Sequence, residues 1–324
     1  MDNFRSLIAT KILSNIPPRV KLVDYLMEAL NISRESVYRR IRGDISFTLE
    51  EIAKLSVDLK FSVDELIIKD MHSRVFFDLH LSKTQSPSDN YVIVFEQHFQ
   101  DLFNLAIAKE VESTEMLNRV PLEFIVFFTH LYKFSYYRWM HQNQESSLKY
   151  FYSDVTLPET LICLQQKAID NMKKLKSSTF IFDSNIFFNL IQEVQYYYKR
   201  KLITEDECDL IKNDLLELVN MVENIAQTGF NKCGTRNNLY LSSINIESSS
   251  RYVMYDEQIK SQFYITGMEP ITISHPNLCG IHKKWLDSMR KYATLITQSN
   301  EILQVRYFNK QRSLVEECGE IIFT

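Results

Sequence analysis

Across residues 1–70 the apolar positions recur at helical spacing, broken by short polar turns. Phe4 to Leu13 forms a first stretch that ends at Pro17-Pro18, where the missing N–H groups stop a helix. Lys21 to Leu30 places Leu22, Leu26, Ala29 and Leu30 on one side. Asn31-Ile32 forms a turn, Ser33 is a suitable N-cap, and the next helix runs to Gly43. Thr48-Leu-Glu-Glu51 and Ser62-Val-Asp-Glu65 each set Ser or Thr three residues before Glu, the capping-box pattern that opens a helix. Ile52, Leu55 and Leu59 follow the first box; Leu66 and Ile67 follow the second. The spacing predicts five short helices and a first domain over 1–70.

A connector is expected over 71–90. Within it Arg74 to Leu81 suits either a strand or a helix, and Ser82 to Asn90 reads as a polar surface loop. Longer helical patterns follow at Val92 to Ala108, Leu122 to Met140, Leu157 to Leu175, Asn185 to Tyr198 and Glu205 to Ala226. The Leu122 stretch is apolar on most faces and predicts a buried central helix. Thr204 and Glu207 form a capping box for the last. Near Gly229 the character changes. Leu239 to Ile246, Arg251 to Tyr255 and Gln262 to Thr266 are short and rich in β-branched and aromatic residues, which predicts a small antiparallel element. After His275-Pro276 helical spacing returns through Trp285, Met289, Tyr292 and Leu295, in two pieces to Cys318. Residues 91–324 are thus expected to form a large, mainly helical domain with a small β element.

Composition supports helices: 6 Gly and 7 Pro in 324 residues leave little material for tight turns. Five dispersed cysteines without a CxxC pair are expected to be reduced thiols. The N-terminal residues lack the basic-then-apolar order of a signal peptide, and no apolar run approaches the ~18 residues of a membrane helix. The expectation is a cytoplasmic protein without membrane contact. No phosphate-binding glycine loop, GxSxG or HExxH motif occurs, so no catalysis and no cofactor are expected.

Charge narrows the picture further. The net charge of −4 argues against a generic nucleic-acid coat. Residues 1–70 carry 11 Lys/Arg and 11 Asp/Glu, yet Ser33 to Gly43 holds Arg34, Arg39, Arg40 and Arg42 against Glu35 alone. On a helical wheel Val37 and Ile41 mark the packed side, and Glu35 and Arg39 fall opposite, with Ser36, Tyr38 and Arg42 beside them. A neutral domain with one basic helix suits a site-specific DNA reader. Arg34, Glu35, Ser36, Tyr38 and Arg39 are expected at base edges, where a bidentate Arg–guanine contact is worth roughly 1–3 kcal/mol of discrimination. An i,i+4 ion pair between Glu35 and Arg39, worth about 0.2–0.5 kcal/mol, is the competing use of those two side chains. Arg40 and Arg42, with Arg19 and Lys21 near the preceding helix, are expected at phosphates.

The stretch "ISRESVYRRIRGDISFTLEEIAKLSVDLKFSVDELI" within residues 21–67 resembles the lambda-repressor/Cro-like (Xre-type) helix-turn-helix domain. The resemblance implies a five-helix DNA-binding domain whose dimer binds two half-sites of double-stranded DNA. Two positions depart from it: Met27 stands where the family favours a small residue, and Asn31 where it favours Gly. The fold class expected for the whole chain is mainly α, a lambda-repressor-like domain followed by the large helical domain.

Other signals are weaker. His275, Cys279 and His282 are spaced like metal ligands but lack the tight, repeated pairing of zinc sites and have only Cys233 as a candidate fourth, so helix-start packing and no metal are expected. Tyr196 to Lys201 interleaves aromatic and basic residues, as single-strand binders do, yet cations also complement a helix C-terminus. The expected function is a homodimeric transcriptional regulator whose C-terminal domain dimerises and senses a small-molecule or peptide effector. The alternatives are an enzyme or scaffold tethered to DNA by the helix-turn-helix, and a protein-docking module.

Overall fold

A computed structural model describes residues 2–16, 21–59, 61–63, 78–79, 86–143, 149–264 and 268–318. The chain falls into two compact units, residues 1–76 and 77–324.

In the first unit, α1 (Asp2–Asn15), α2 (Leu22–Leu30), α3 (Arg34–Ile41) and α4 (Leu49–Asp58) share one core. Ile8 and Ile12, Leu26, Val37, Ile52 and Leu55 meet there, one or two from each helix. Each such aliphatic side chain contributes about 1.5–3 kcal/mol on burial. The helix starts are those marked by the caps. Ser33 Oγ accepts from the Ser36 N–H at 3.3 Å. Thr48 Oγ1 accepts from the Glu51 N–H at 3.2 Å, while Glu51 Oε2 accepts from the Thr48 N–H at 2.9 Å. Asn31 turns the chain with φ 53, a left-handed conformation that Asn tolerates better than most residues. The fifth helix expected after Ser62 falls largely at 64–70, outside the described residues.

The second unit overturns the mainly helical expectation. Its centre is an eight-stranded mixed sheet in the order β1-β7-β6-β5-β2-β3-β4-β8. The strands are β1 (Asp78–Leu79), β2 (Val111–Leu117), β3 (Ser177–Phe182), β4 (Arg236–Ser242), β5 (Ser250–Tyr255), β6 (Gln258–Tyr264), β7 (Pro270–Ile273) and β8 (Ala293–Leu295). β2, β3 and β4 run parallel, and β5 joins β2 antiparallel to begin a β5-β6-β7 meander. The fold is therefore α/β, and the predicted small antiparallel element is divided: β5 and β6 pair on one flank of the sheet, while the Leu239 stretch lies in β4, parallel to β3 and separated from them by β2 and β3. β2 and β3 escape sequence reading because VESTEML and SSTFIF are half polar, whereas strands buried on both faces usually read as apolar runs.

The helices of this unit are α5 (Pro87–Ile107), α6 (Leu122–Ile125), α7 (Thr129–Asn143), α8 (Glu159–Met172), α9 (Ile186–Lys199), α10 (Glu205–Thr228), α11 (Pro276–Met289) and α12 (Glu301–Glu316). Side chains alternate across the sheet with period two. Leu117, Phe180, Phe182, Leu239 and Val253 face a large core shared with α5, α7, α9, α10 and α12. Met116, Ile181 and Tyr252 face the other way, onto Cys279 and Leu286 of α11.

The helix expected through Tyr292 and Leu295 stops at Met289, with Tyr292 in a 3-10 turn and Leu295 in β8. Two other helix boundaries differ from expectation for tertiary reasons. Pro87 to Asn90, placed in a surface loop, is the first turn of α5, with Ser86 as N-cap and Pro87 in the first turn, where its missing N–H costs nothing. The single helix expected over Leu122 to Met140 is broken into α6 and α7. The break is stabilised by Asp214 of α10, whose Oδ2 accepts from the N–H groups of His130 (2.7 Å) and Leu131 (3.1 Å) at the start of α7. By contrast α10 begins at its predicted box, with Glu207 Oε2 accepting from the Thr204 N–H at 2.9 Å. It ends at Gly229, where φ 84 favours glycine.

Of the His275, Cys279 and His282 trio, Cys279 and His282 are buried on α11, while His275 at its N-cap is exposed. Cys279 donates to the Ile273 carbonyl at 3.3 Å, and both His282 ring nitrogens meet serine hydroxyls, Ser261 at 2.9 Å and Ser250 at 3.1 Å. Among the described residues no group of three His, Cys, Asp or Glu can hold a metal ion. Burial pushes His282 from 6.5 down to about 4. The unfolded chain therefore takes up this proton first as pH falls. The contribution of neutral His282 is complete above its ordinary value and lost as pH falls through about 4, a loss of about 2 kcal/mol. Urea midpoints measured from pH 7 to pH 4 should fall less steeply in His282→Asn than in the parent; equal slopes would place the effect elsewhere. No helix among the described residues is long and apolar enough to cross a membrane.

Candidate functional site

The predicted reading residues lie on α3, which is held from three sides. Ser33 caps its first turn, Val37 is buried in the first unit's core, and Gly43 (φ 82) closes its end. Arg34, Glu35, Tyr38, Arg39 and Arg42 are exposed. Their spacing of one, four, five and eight residues from Arg34 makes a single outward face. Tyr38, expected at base edges, is 42% exposed and so available on that face. Among the described residues Glu35 and Arg39 form no ion pair, so the competing i,i+4 bridge does not occupy them.

Two predicted positions take other roles. Ser36 is half-buried, its N–H and hydroxyl both engaged with Ser33 at the cap, so it is not part of the outward face. Arg40 is not extended toward solvent. Its Nε and Nη2 donate to Glu51 Oε2 (2.9 Å) and Oε1 (2.7 Å), a bidentate pair joining α3 to α4 with the arginine side chain only 12% exposed. Arg42 stays 65% exposed, with Asp44 at 3.7 Å, a distance that leaves it available to a phosphate. Lys21 is exposed at the N-cap of α2, and Arg19 lies outside the described residues. The Glu51 clamp was not legible from sequence: its partner is eleven residues away, and only the position of a capping-box Glu beside an arginine-rich helix hints at it.

The basic stretch Tyr196 to Lys201 closes on itself. Arg200 donates to the Tyr196 hydroxyl at 2.9 Å and lies 5.3 Å from that ring, while Tyr197 is buried in the core.

A second group of charged side chains was missed because each is alone in sequence. Glu115 of β2 and Arg251 of β5 stand directly opposite in register, 1% and 3% exposed for Arg and Glu, with Nε and Oε1 3.3 Å apart. Arg251 Nε and Nη1 make no hydrogen bond among the described residues. Nearby, His98 of α5 and Glu123 of α6 pair at 3.0 Å. Burial raises the Glu115 carboxyl against the pull of Arg251. Burial acts the same way on Glu123, but the charge and hydrogen bond of His98 outweigh it and hold that carboxyl at about 2.

Comparison with family models, curated proteins and solved structures finds no match to the chain.

Proposed function

We propose that the chain is a sequence-specific DNA-binding transcriptional regulator that works as a homodimer. The observation that carries this reading is the outward face of α3: a capped, core-anchored helix presenting Arg34, Glu35, Tyr38, Arg39 and Arg42 to solvent. Such a helix lies in the major groove, with its N-terminal side chains nearest the bases. Arg39 donates two hydrogen bonds to a guanine, Glu35 accepts from a cytosine amino group, and Arg42 and Lys21 hold phosphates. The second unit brings two readers to half-sites about 34 Å apart, one turn of duplex.

Selection of bound duplexes from a random pool tests the proposal. The parent chain is expected to enrich two half-sites, and Arg39→Ala to lose preference at one base pair in each, by roughly 1–3 kcal/mol. Enrichment of nothing by the parent at moderate salt rejects operator binding. An unchanged motif with Arg39→Ala rejects Arg39 as the reader. Arg42→Ala is expected to weaken binding to all sequences alike and to lower the salt slope by about 0.9 per half-site.

A further inference from the structure

The cysteines, all thiols in this structure, are not all solitary. Cys163 is exposed on α8. Cys233 donates to the Ile169 carbonyl at 3.8 Å, and Cys279 to the Ile273 carbonyl at 3.3 Å. The remaining two face each other: Cys208 in the first turn of α10, and Cys318 directly after Glu317, the C-cap of α12.

Helix packing brings this pair together. Near the start of α12, Gln304 Nε2 donates to the Ala226 carbonyl near the end of α10 at 3.4 Å. About two turns further along α12, Arg312 Nη1 donates to Glu223 Oε2 at 2.6 Å and to Asn220 Oδ1 at 3.3 Å. Advancing along α12 thus means retreating along α10, so the two helices pack antiparallel. Their buried side chains keep the same order, with Phe308, Gln311 and Val315 on α12 and Val222, Val219 and Leu215 on α10. One more turn sets Cys318 beside Lys212, whose neighbour one turn back is Cys208. Both sulfurs belong to the main core, at 3% and 1% exposure for Cys208 and Cys318.

The two thiols meet in a hydrogen bond, which Cys318 donates. That bond holds the Cys208 thiol below its ordinary value; burial opposes it, the Lys212 ammonium supports it, and Asp209 and Glu205 act against it. The same bond, together with burial, pushes the Cys318 thiol up. A lowered thiol in the first turn of a helix and beside a lysine is the arrangement that favours a nucleophilic thiolate. A second thiol in contact with it is placed to resolve whatever that nucleophile forms.

We propose that Cys208 and Cys318 form a redox-modification site, at which a hydroperoxide converts the two thiols into a disulfide tying the end of α12 to the start of α10. With hydrogen peroxide, the Cys208 thiolate attacks one oxygen; an S–O bond forms, the O–O bond breaks, and the departing hydroxide takes up the Cys208 proton as water. Cys318 sulfur then attacks the Cys208 sulfenic acid. The S–S bond forms, the S–O bond breaks, and the hydroxyl leaves with the Cys318 proton as a second water. Two electrons pass from the sulfurs to the peroxide. Burial keeps bulky electrophiles out, while the last turn of a helix opens more readily than its middle and admits so small an oxidant. Because the second thiol is already in contact, the sulfenic acid is consumed before further oxidation, and a reducing thiol restores the pair. The proposal rests on the second unit alone and holds whether or not α3 reads DNA.

The full-length reduced chain is treated with stepped hydrogen peroxide, quenched with catalase, denatured and alkylated with N-ethylmaleimide. Intact mass is expected to show the loss of two of the five alkylatable thiols, reversed by dithiothreitol. Trypsin releases residues 202–212 and 313–324, each holding one cysteine, and these are expected as one linked peptide. Chain unfolded in guanidinium chloride before oxidation is expected to scatter its links among the five cysteines. Cys208→Ser and Cys318→Ser are each expected to keep every remaining thiol alkylatable at the peroxide level that links the parent. The proposal fails if all five thiols survive peroxide that oxidises the exposed Cys163, or if Cys208 links to another cysteine. It fails equally if the 202–212 to 313–324 link is no more abundant from folded than from unfolded chain. The peptide map uses the unsubstituted chain, so it decides even where a serine variant does not fold.

Discussion

Glu115→Ala is expected to destabilise the second unit by about 3–5 kcal/mol, the cost of leaving one member of a buried ion pair unpaired. Arg251 is 1% exposed and, among the described residues, has two nitrogens without hydrogen-bond partners, so the carboxylate is its main compensation. Removing that carboxylate leaves a guanidinium that can neither reach water nor lose its proton at ordinary pH. The double variant Glu115→Met, Arg251→Met is expected to recover most of the loss, since buried pairs replaced by apolar groups of similar volume are often neutral or stabilising. Urea unfolding of the single and double variants separates these outcomes. A single-variant loss below about 1 kcal/mol would show that Arg251 is compensated elsewhere. The pair also has a role in register. It joins β2 to β5 at the seam where the parallel strands meet the antiparallel meander. A slip of one residue would turn Arg251 to the opposite face, among Met116 and Ile181.

Glu51→Ala is expected to cost the first unit about 2–3 kcal/mol, because one side chain serves two purposes. Its carboxylate closes the α4 cap at the Thr48 N–H and clamps Arg40 of α3. Alanine leaves both the N–H and the guanidinium without that partner. Glu51→Gln keeps an oxygen for the cap and should cost less. Amide hydrogen exchange across α3 and α4 reads the effect locally, without requiring a separate melting transition for this unit. Arg40→Met, by the same reasoning, should alter stability while leaving the salt dependence of DNA binding unchanged. A slope lowered by about 0.9 in that variant would return Arg40 to the phosphate role.

What could be read beforehand was what is local. Ser33, Thr48 and Thr204 announced helix starts because each caps an N–H within three residues, and the structure forms all three. Arg251 to Tyr255 was legible as a strand because its side chains are β-branched, aromatic or long, and it forms β5 with only Ser250 added. β2 was hidden because its burial is made tolerable by residues far along the chain. Glu115 is matched by Arg251, and Glu112 is paired with Lys283 of α11. A hydrophobic pattern cannot record that compensation. The break between α6 and α7 was hidden for a related reason, since the carboxylate that stabilises it comes from Asp214. At the reading helix, exposure followed the wheel for Arg34, Glu35, Tyr38, Arg39 and Arg42, while the position of Arg40 depended on a neighbouring helix that no wheel includes.

The ends of the sheet bear on how copies of this chain can associate. On one side the outermost strand, β8, pairs over only three residues, Ala293 to Leu295. On the other, the described part of β1 covers two residues of β7, which itself opens with a proline. A terminal strand of the length of β8 offers little template for adding a strand from another molecule, so lateral growth of the sheet is discouraged at the β8 margin.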